Sequence, residues 1–387
     1  MEKTKVRTLI RQVRGVSYKP EDLHNELDDN SVILLRANNI DEGKINFDDV
    51  VYVDKSKVSD EQYLKDGDIL ICASSGSKNL VGKAASIRLN MECTFGAFCK
   101  VVRPKEGIEE YLGVYFQSPI YRRKISEVAI GANINNIRNE HIDELDIPVF
   151  SNDEQVSIAK RMHLIQEVIS NRKAELEKLD DLIKARFVEM FGDPILNPNG
   201  YLKEKIEKHI DLLSGYPFKS EQYVEEGINI CGGLIIMPQK IKWNECVHWS
   251  SAEGFEDYLL NENDIVMALD RPWISEGFKM AKVDAEHLPA LLIQRTARIR
   301  AIDMNQEYLY NCFINGGFDK HSYVTGSLVP HISAKDIRSF EIMIPPAELQ
   351  NQFADFVHQV DKSKVVVQKA LDETQILFNS LMQQYFG

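Results

Sequence analysis

The chain has 387 residues, 44% apolar and 27% charged, which excludes a disordered protein and exceeds what one hydrophobic core organises. Its formal charge of −13 excludes a uniformly basic nucleic-acid surface, so any such surface must be a local patch. No apolar run nears the ~20 residues of a membrane-spanning helix, and MEKTKVRTLIRQVRG lacks a signal peptide's apolar centre. Cys72, Cys93, Cys99, Cys231, Cys246 and Cys312 show no CxxC or paired spacing, so a cytoplasmic protein without disulfides, bound metal or membrane contact is expected.

In chain order, Arg7, Arg11 and Arg14 have the i, i+4, i+7 spacing of one helix face. VILLRANNI (32–40), VVYVD (50–54), DILICAS (68–74), FCKVV (98–102) and LDIPVF (145–150) follow as strand candidates, bounded by Gly, Asn, Asp and Ser turns. From residue 151 the period changes. Ile158, Met162, Ile165, Ile169, Arg172, Leu176, Leu179, Ile183, Arg186 and Met190 step by four and three, which predicts a helix of ~38 residues, ~57 Å long. Strand candidates then return as INICGGLII (228–236), DIVMAL (264–269), TARIRAI (296–302) and FEIMIP (340–345). A second heptad segment closes the series, with Phe353, Val357, Val360, Lys364, Val367, Leu371, Thr374, Phe378, Leu381 and Tyr385 on its seam.

The second series repeats the first. Residues 131–192 align with 326–387 without a gap, matching Gly131, Ile137, Ile142, Ile147, Gln155, Ala159, His163, Leu176, Phe191 and Gly192 to identical residues 195 positions on. Asp68-Ile69 meets Asp264-Ile265, Glu110-Tyr111-Leu112 meets Glu307-Tyr308-Leu309, and Gly15 to Lys19 meets Gly215 to Lys219 at nearly the same offset. The expected architecture is therefore a tandem α+β protein: a domain over 1–150, a helix over 151–192, a second domain over 193–345 and a second helix over 346–387. Each domain is read as a small mixed β-sheet with helices. Two matched seams in one chain are expected to pair as an antiparallel coiled coil with pseudo-two-fold symmetry. Lys364 and Arg172, polar among apolar seam positions, are candidates for fixing its register.

Catalytic signatures are missing from both halves. GSKNLVGKA (76–84) imitates a phosphate loop but has one residue too many between its glycines, and Ala84 where a Mg²⁺-binding hydroxyl belongs. There is no HExxH, no G-x-S-x-G and no adenine-flipping NPPY-type motif. The balance favours a binding protein over an enzyme.

The doubled plan resembles the specificity subunits of type I restriction–modification enzymes. The resemblance spans the chain and rests on GANINNIRNEHIDELDIPVFSNDEQ (131–155) and GSLVPHISAKDIRSFEIMIPPAELQ (326–350), each leading into a heptad segment, on FVEMFGDP (187–194) and on GYPFKS (215–220). GVSYKP (15–20) keeps only the Gly, aromatic and Lys of that last motif. The resemblance implies two target-recognition domains, each reading one half of a split double-stranded DNA target, with the helices setting the gap. It also implies two modification (methyltransferase) subunits docked on the helices, and restriction (translocase and endonuclease) subunits in the full complex. S-adenosylmethionine, ATP and Mg²⁺ would sit on those partners, with no cofactor and no catalytic residue on this chain. A tandem protein-binding adaptor with a coiled-coil spacer is the alternative.

Charge by segment leaves no basic domain: −3 over 1–150, −1 over 151–192, −7 over 193–345 and −2 over 346–387. Candidate DNA contacts are therefore local. In the first half they are Lys19, Ser74, Ser75, Ser77, Lys78, Asn79, Arg122, Arg123, Asn133, Asn135 and Asn136. In the second they are Lys219, Asp270, Arg271, Trp273, Lys279, Lys320, His321, Tyr323, Ser327 and His331. Side chains of these types reach phosphates and base edges. The segments after DILICA and DIVMAL carry most weight, because they occupy equivalent positions yet share no sequence, as two readers of different bases on one scaffold require.

Overall fold

The computed structural model describes residues 2–77, 79–88, 91–128, 135–321 and 331–387, without the side chains of 135, 319 and 320. The chain forms two compact units: residues 1–174 with 368–387, and residues 175–367. Each unit therefore combines one set of strands with half of each long helix.

In the first unit the central strand Ile69–Cys72 lies in a four-stranded antiparallel sheet, ordered Ala84–Ser86, Ile69–Cys72, Cys99–Pro104, Ile10–Arg14. Side chains alternate between faces along a strand. Ile69 and Ile71 enter a core shared with the helices, while Leu70 and Cys72 enter a second core beneath another sheet. With both faces covered, the strand reads as a continuous apolar run. The covering sheet is ordered Cys93–Phe95, Ser31–Leu35, Val51–Asp54, Leu23–His24, its first pair parallel and the rest antiparallel.

The second unit repeats this wiring. Its central strand Ile265–Ala268 lies between Met280–Lys282 and Thr296–Ala301, with Ile210–Ser214 beyond. The covering sheet has three strands, Val247–Trp249, Ile228–Cys231 and Ala290–Leu292. A buried ion pair braces both central sheets. Arg103 grips Asp68 through Nε and Nη2 (2.8 and 2.7 Å), and Arg300 grips Asp264 likewise (2.5 and 2.8 Å). The repeated aspartates are thus structural. Arg7, Arg11 and Arg14 do not share a helix face. Arg7 lies in the 3-10 turn Val6–Thr8 beside Glu144, and Arg11 and Arg14 lie on the strand Ile10–Arg14, where Arg11 pairs with Glu61 at 2.5 Å. Pairing of that strand with Cys99–Pro104 overrides the helical spacing.

The long helices, Asn152–Phe191 and Ala347–Phe386, have 40 residues each, about 60 Å. Their starts share one device: the side-chain amide of Gln155 donates to the Phe150 carbonyl and that of Gln350 to the Pro345 carbonyl, both at 2.8 Å. A Ser151–Glu154 capping box adds to the first. Gly192 ends that helix with φ +82°, a conformation that favours glycine.

Within the first unit, Ile158, Met162, Ile165 and Ile169 pack in one core with Phe378, Leu381, Met382, Tyr385 and Phe386, while Leu371 is half-buried. Within the second, Leu179, Ile183, Phe187 and Phe191 share a core with Phe353, Val357 and Val360; Leu176 is half-buried and Val367 buried. In each unit the start of one helix meets the end of the other, which is antiparallel pairing. Each helix ends in a ring cluster: Phe386 against Tyr111 and Tyr115 (5.4 and 5.6 Å), Phe191 against Tyr308 and Phe353 (4.8 and 5.5 Å). The tyrosines are held in turn, Tyr111 Oη donating to the Pro148 carbonyl and Tyr308 Oη to that of Met343 (2.9 and 2.8 Å).

Candidate nucleic-acid interface

The central strand of the first unit leaves its sheet at Ala73. The amides of Ala73 and Ser74 both donate to the Phe98 carbonyl (2.9 and 3.0 Å), and the Ala73 carbonyl accepts from Ile137 N–H at 2.8 Å. Ser74–Ser75 then pairs antiparallel with Asn135–Asn136, placing Ser74 opposite Asn136. The loop after the strand and the repeated junction segment, far apart in sequence, thus meet on one face.

The second unit builds the same corner. Leu269 N–H donates to the Arg295 carbonyl at 2.9 Å, Ile332 N–H donates to the Leu269 carbonyl at 2.8 Å, and Asp270 lies opposite His331 in a single β-bridge. Position by position, Ser74 corresponds to Asp270, Asn136 to His331 and Phe98 to Arg295. Asp270 is engaged at both carboxylate oxygens, by His331 Nδ1 at 2.6 Å and by Arg295 Nη1 at 3.1 Å. Asp270 is therefore held within this cluster rather than standing as an open acceptor.

The structure sorts the remaining candidates. Ser77, Asn79, Arg123, Asn136 and Arg271 are exposed, and Ser74 and Ser75 half-buried, around these corners and the adjoining helix Pro119–Val128. Arg271 has no hydrogen-bond or ion-pair partner among the described residues, and its φ of +46° is unusual for a side chain with a Cβ. Lys19 and Lys219 are exposed and precede equivalent 3-10 turns, Pro20–Asp22 and Ser220–Gln222.

Four candidates are committed within the fold. Arg122 donates to the carbonyls of Val81 and Asn79 (2.5 and 2.9 Å), so it shapes the loop. Lys279 is buried, and its ammonium donates to the Gly233 carbonyl. Burial, with Arg271 nearby, holds its pKa below the usual lysine value. Trp273 stacks on Phe278 (5.1 Å) in the hairpin formed by Trp273–Ile274 and Gly277–Phe278, against the unit's core. His321 Nε2 lies within hydrogen-bond distance of Ser339 Oγ and the Asp336 carbonyl (3.0 and 3.2 Å). Lys78, Asn133, Tyr323 and Ser327 lie outside the described residues, as do the side chains of Asn135 and Lys320.

One positioning residue escaped the sequence reading. Lys100 is buried and donates to Asn139 Oδ1 at 2.6 Å and to the Ile137 carbonyl at 3.3 Å, tying the junction to the sheet. Burial lowers its pKa. The signal was a lysine inside the otherwise apolar run FCKVV. No group of three or more His, Cys, Asp or Glu among the described residues is placed to hold a metal ion, and no described helix is long and apolar enough to cross a membrane.

Comparison with known proteins decides the family. The model of the type I restriction modification DNA specificity domain matches twice, over residues 19–180 and 215–374. The specificity subunit of the type I restriction enzyme EcoKI of Escherichia coli K12 is 39% identical across 98% of this chain and 86% of its own length. The chain belongs to the type I restriction–modification specificity subunits. Its relative from the StySPI enzyme of Salmonella potsdam is 42% identical, over 46% of this chain and 39% of that one. The fold is similar to that of the S subunit from M. genitalium, with TM-score 0.54 and 15% identity over 100% of this chain and 96% of that one. It is also similar to a chain from a study of type I complex assembly and conformational transition, with TM-score 0.50 over 98% of this chain and 97% of the other. As a specificity subunit the chain serves DNA target recognition, and the adaptor alternative is not favoured.

Proposed function

We propose that each unit of this specificity subunit reads one half of a bipartite DNA target with the corner where the central strand's exit loop meets the junction segment. The observation that carries this is the shared backbone wiring of the two corners beneath unlike side chains: Ser74 and Asn136 in one, Asp270 and His331 in the other. A common scaffold presenting different polar groups is what two different half-sites require. The acidic net charge is compatible, because these corners are local.

The long helices, with their outer faces, are the surfaces that dock modification subunits, with restriction subunits joining in the full complex. Methyl transfer, and the S-adenosylmethionine, ATP and Mg²⁺ it and DNA cleavage call on, belong to those partners, and this chain is non-catalytic.

The test is domain exchange. Residues 193–345 are replaced by the equivalent stretch of a relative, the chain is co-expressed with its modification subunits, and methylated adenines are mapped across a genome. One half of the target should change while the other half stays. A target unchanged, or changed in both halves, overturns the assignment of one half-site to each unit.

A further inference from the structure

Positions 98 and 295 are the same place in the repeat. Each carbonyl accepts, at 2.9 Å, the amide of the residue that leaves the central strand, and each residue immediately precedes the strand paired with it. Neither side chain is used to pack its unit. Phe98 is 70% exposed, the most exposed phenylalanine among the described residues. An aromatic ring left in water beside short polar side chains forgoes burial that folding normally secures. The Arg295 side chain is 74% exposed.

The second unit adds backbone strain at the same place. Arg295 has φ +63° and Arg271 φ +46°, two arginines in a region that L side chains rarely adopt; the first pairs with the carboxylate of Asp270 and the second follows Asp270 in the chain. Strain of this kind persists where surrounding structure enforces it, and it concentrates at functional positions. Asp270 takes one nitrogen of the Arg295 guanidinium and leaves the rest of the fork open, while His331 holds its other oxygen.

We propose that this position reads a base in both halves of the target. Phe98 contacts the C5-methyl of a thymine in the half-site of the first unit. Arg295 donates two hydrogen bonds to O6 and N7 of a guanine in the half-site of the second, with Asp270 as its positioning residue. The thymine methyl is the one apolar group displayed on a base edge in the major groove, and guanine offers the paired acceptors that fit a guanidinium. The inference rests on the half-site reading above.

The experiment uses the full chain in complex with its modification subunits, and duplexes carrying the target mapped by adenine methylation. Replacing the contacted thymine by uracil, which removes only the methyl group, should weaken binding about fourfold. Phe98→Ala should weaken it by the same factor and be indifferent to that replacement. Arg295→Ala should weaken binding between about fivefold and 150-fold and relax selection at one guanine. It should also be indifferent to 7-deazaguanine there, which weakens wild-type binding. Asp270→Asn should give a smaller loss confined to the same guanine. Thermal melting of Phe98→Ala and of Arg295→Ala should match wild type, because both side chains are exposed. Equal loss on every duplex, unaltered base selection, or half-sites lacking thymine and guanine respectively would overturn the proposal. A wild-type complex without preference for its mapped target over a scrambled duplex would instead overturn the half-site reading beneath it.

Discussion

In the first unit the turn leaving the central strand meets the junction through Ser74 and Asn136; in the second, the same positions hold Asp270 and His331. Two amide-to-carbonyl bonds, Ala73 to Phe98 and Ile137 to Ala73, recur at the same lengths as Leu269 to Arg295 and Ile332 to Leu269. The same division holds where the strands meet the helices. In the second unit Lys282 Nζ binds Glu307 at 2.6 Å and reaches Asp361 at 3.5 Å, and Lys364 binds Asp180 at 2.5 Å. The first unit has Ser86, Gln166, Ile169 and Gln375 at the corresponding positions, and these line a cavity of about 1030 Å³, while Glu110, the counterpart of Glu307 in the repeat, meets Arg88 and His163 instead. Backbone bonds are independent of side-chain identity, so a duplicated chain keeps them while its exposed groups diverge.

The helix-end aromatics should show the largest effects. Phe191→Ala and Phe386→Ala each remove a fully buried ring from equivalent clusters and should each cost about 3–5 kcal/mol, read by chemical denaturation. A much smaller cost for one would break the equivalence of the two units. Next come the braces beneath the central sheets. Asp68→Ala and Asp264→Ala each strand a largely buried guanidinium and should each cost about 3 kcal/mol, lowering the midpoint of thermal unfolding.

Lys100 separates the units. Lys100→Met leaves the Asn139 and Ile137 oxygens without their donor, at about 1–3 kcal/mol. Because it loosens only the junction of the first unit, base selection should weaken in that half-site alone, as read by methylation mapping. Relaxation in both halves would show that the corners do not act separately. The smallest effect is expected for Lys364→Ile combined with Asp180→Gln, which gives the second unit the residues of the first, Ile169 and Gln375. Trading a partly exposed ion pair for an apolar contact should change stability by less than about 1 kcal/mol. A larger loss would assign the pair a role in helix register.

The repeat, the two helices and most strands were legible in the sequence because each rests on periodicity. Heptad spacing turns Ile158 through Met190 to one side of a helix wherever that helix packs. A run such as ILIC, apolar at every position, marks a strand covered on both faces. Gln155 and Gln350, in the sequence a repeated letter and no more, perform the same bond at both helix starts. The spacing of Arg7, Arg11 and Arg14 misled because strand pairing, a contact with residues 99–104, outweighs a local pattern of three charges. The corner itself lay beyond reach of sequence. That Ser74 meets Asn136, that Arg122 and Lys279 are turned inward onto carbonyls, and that Phe98 and Arg295 stand out beside them follow from segments distant along the chain being brought together. Local spacing fixes which face of an element is apolar; only the closure of the sheets onto the helices decides which polar groups are consumed inside and which are left exposed.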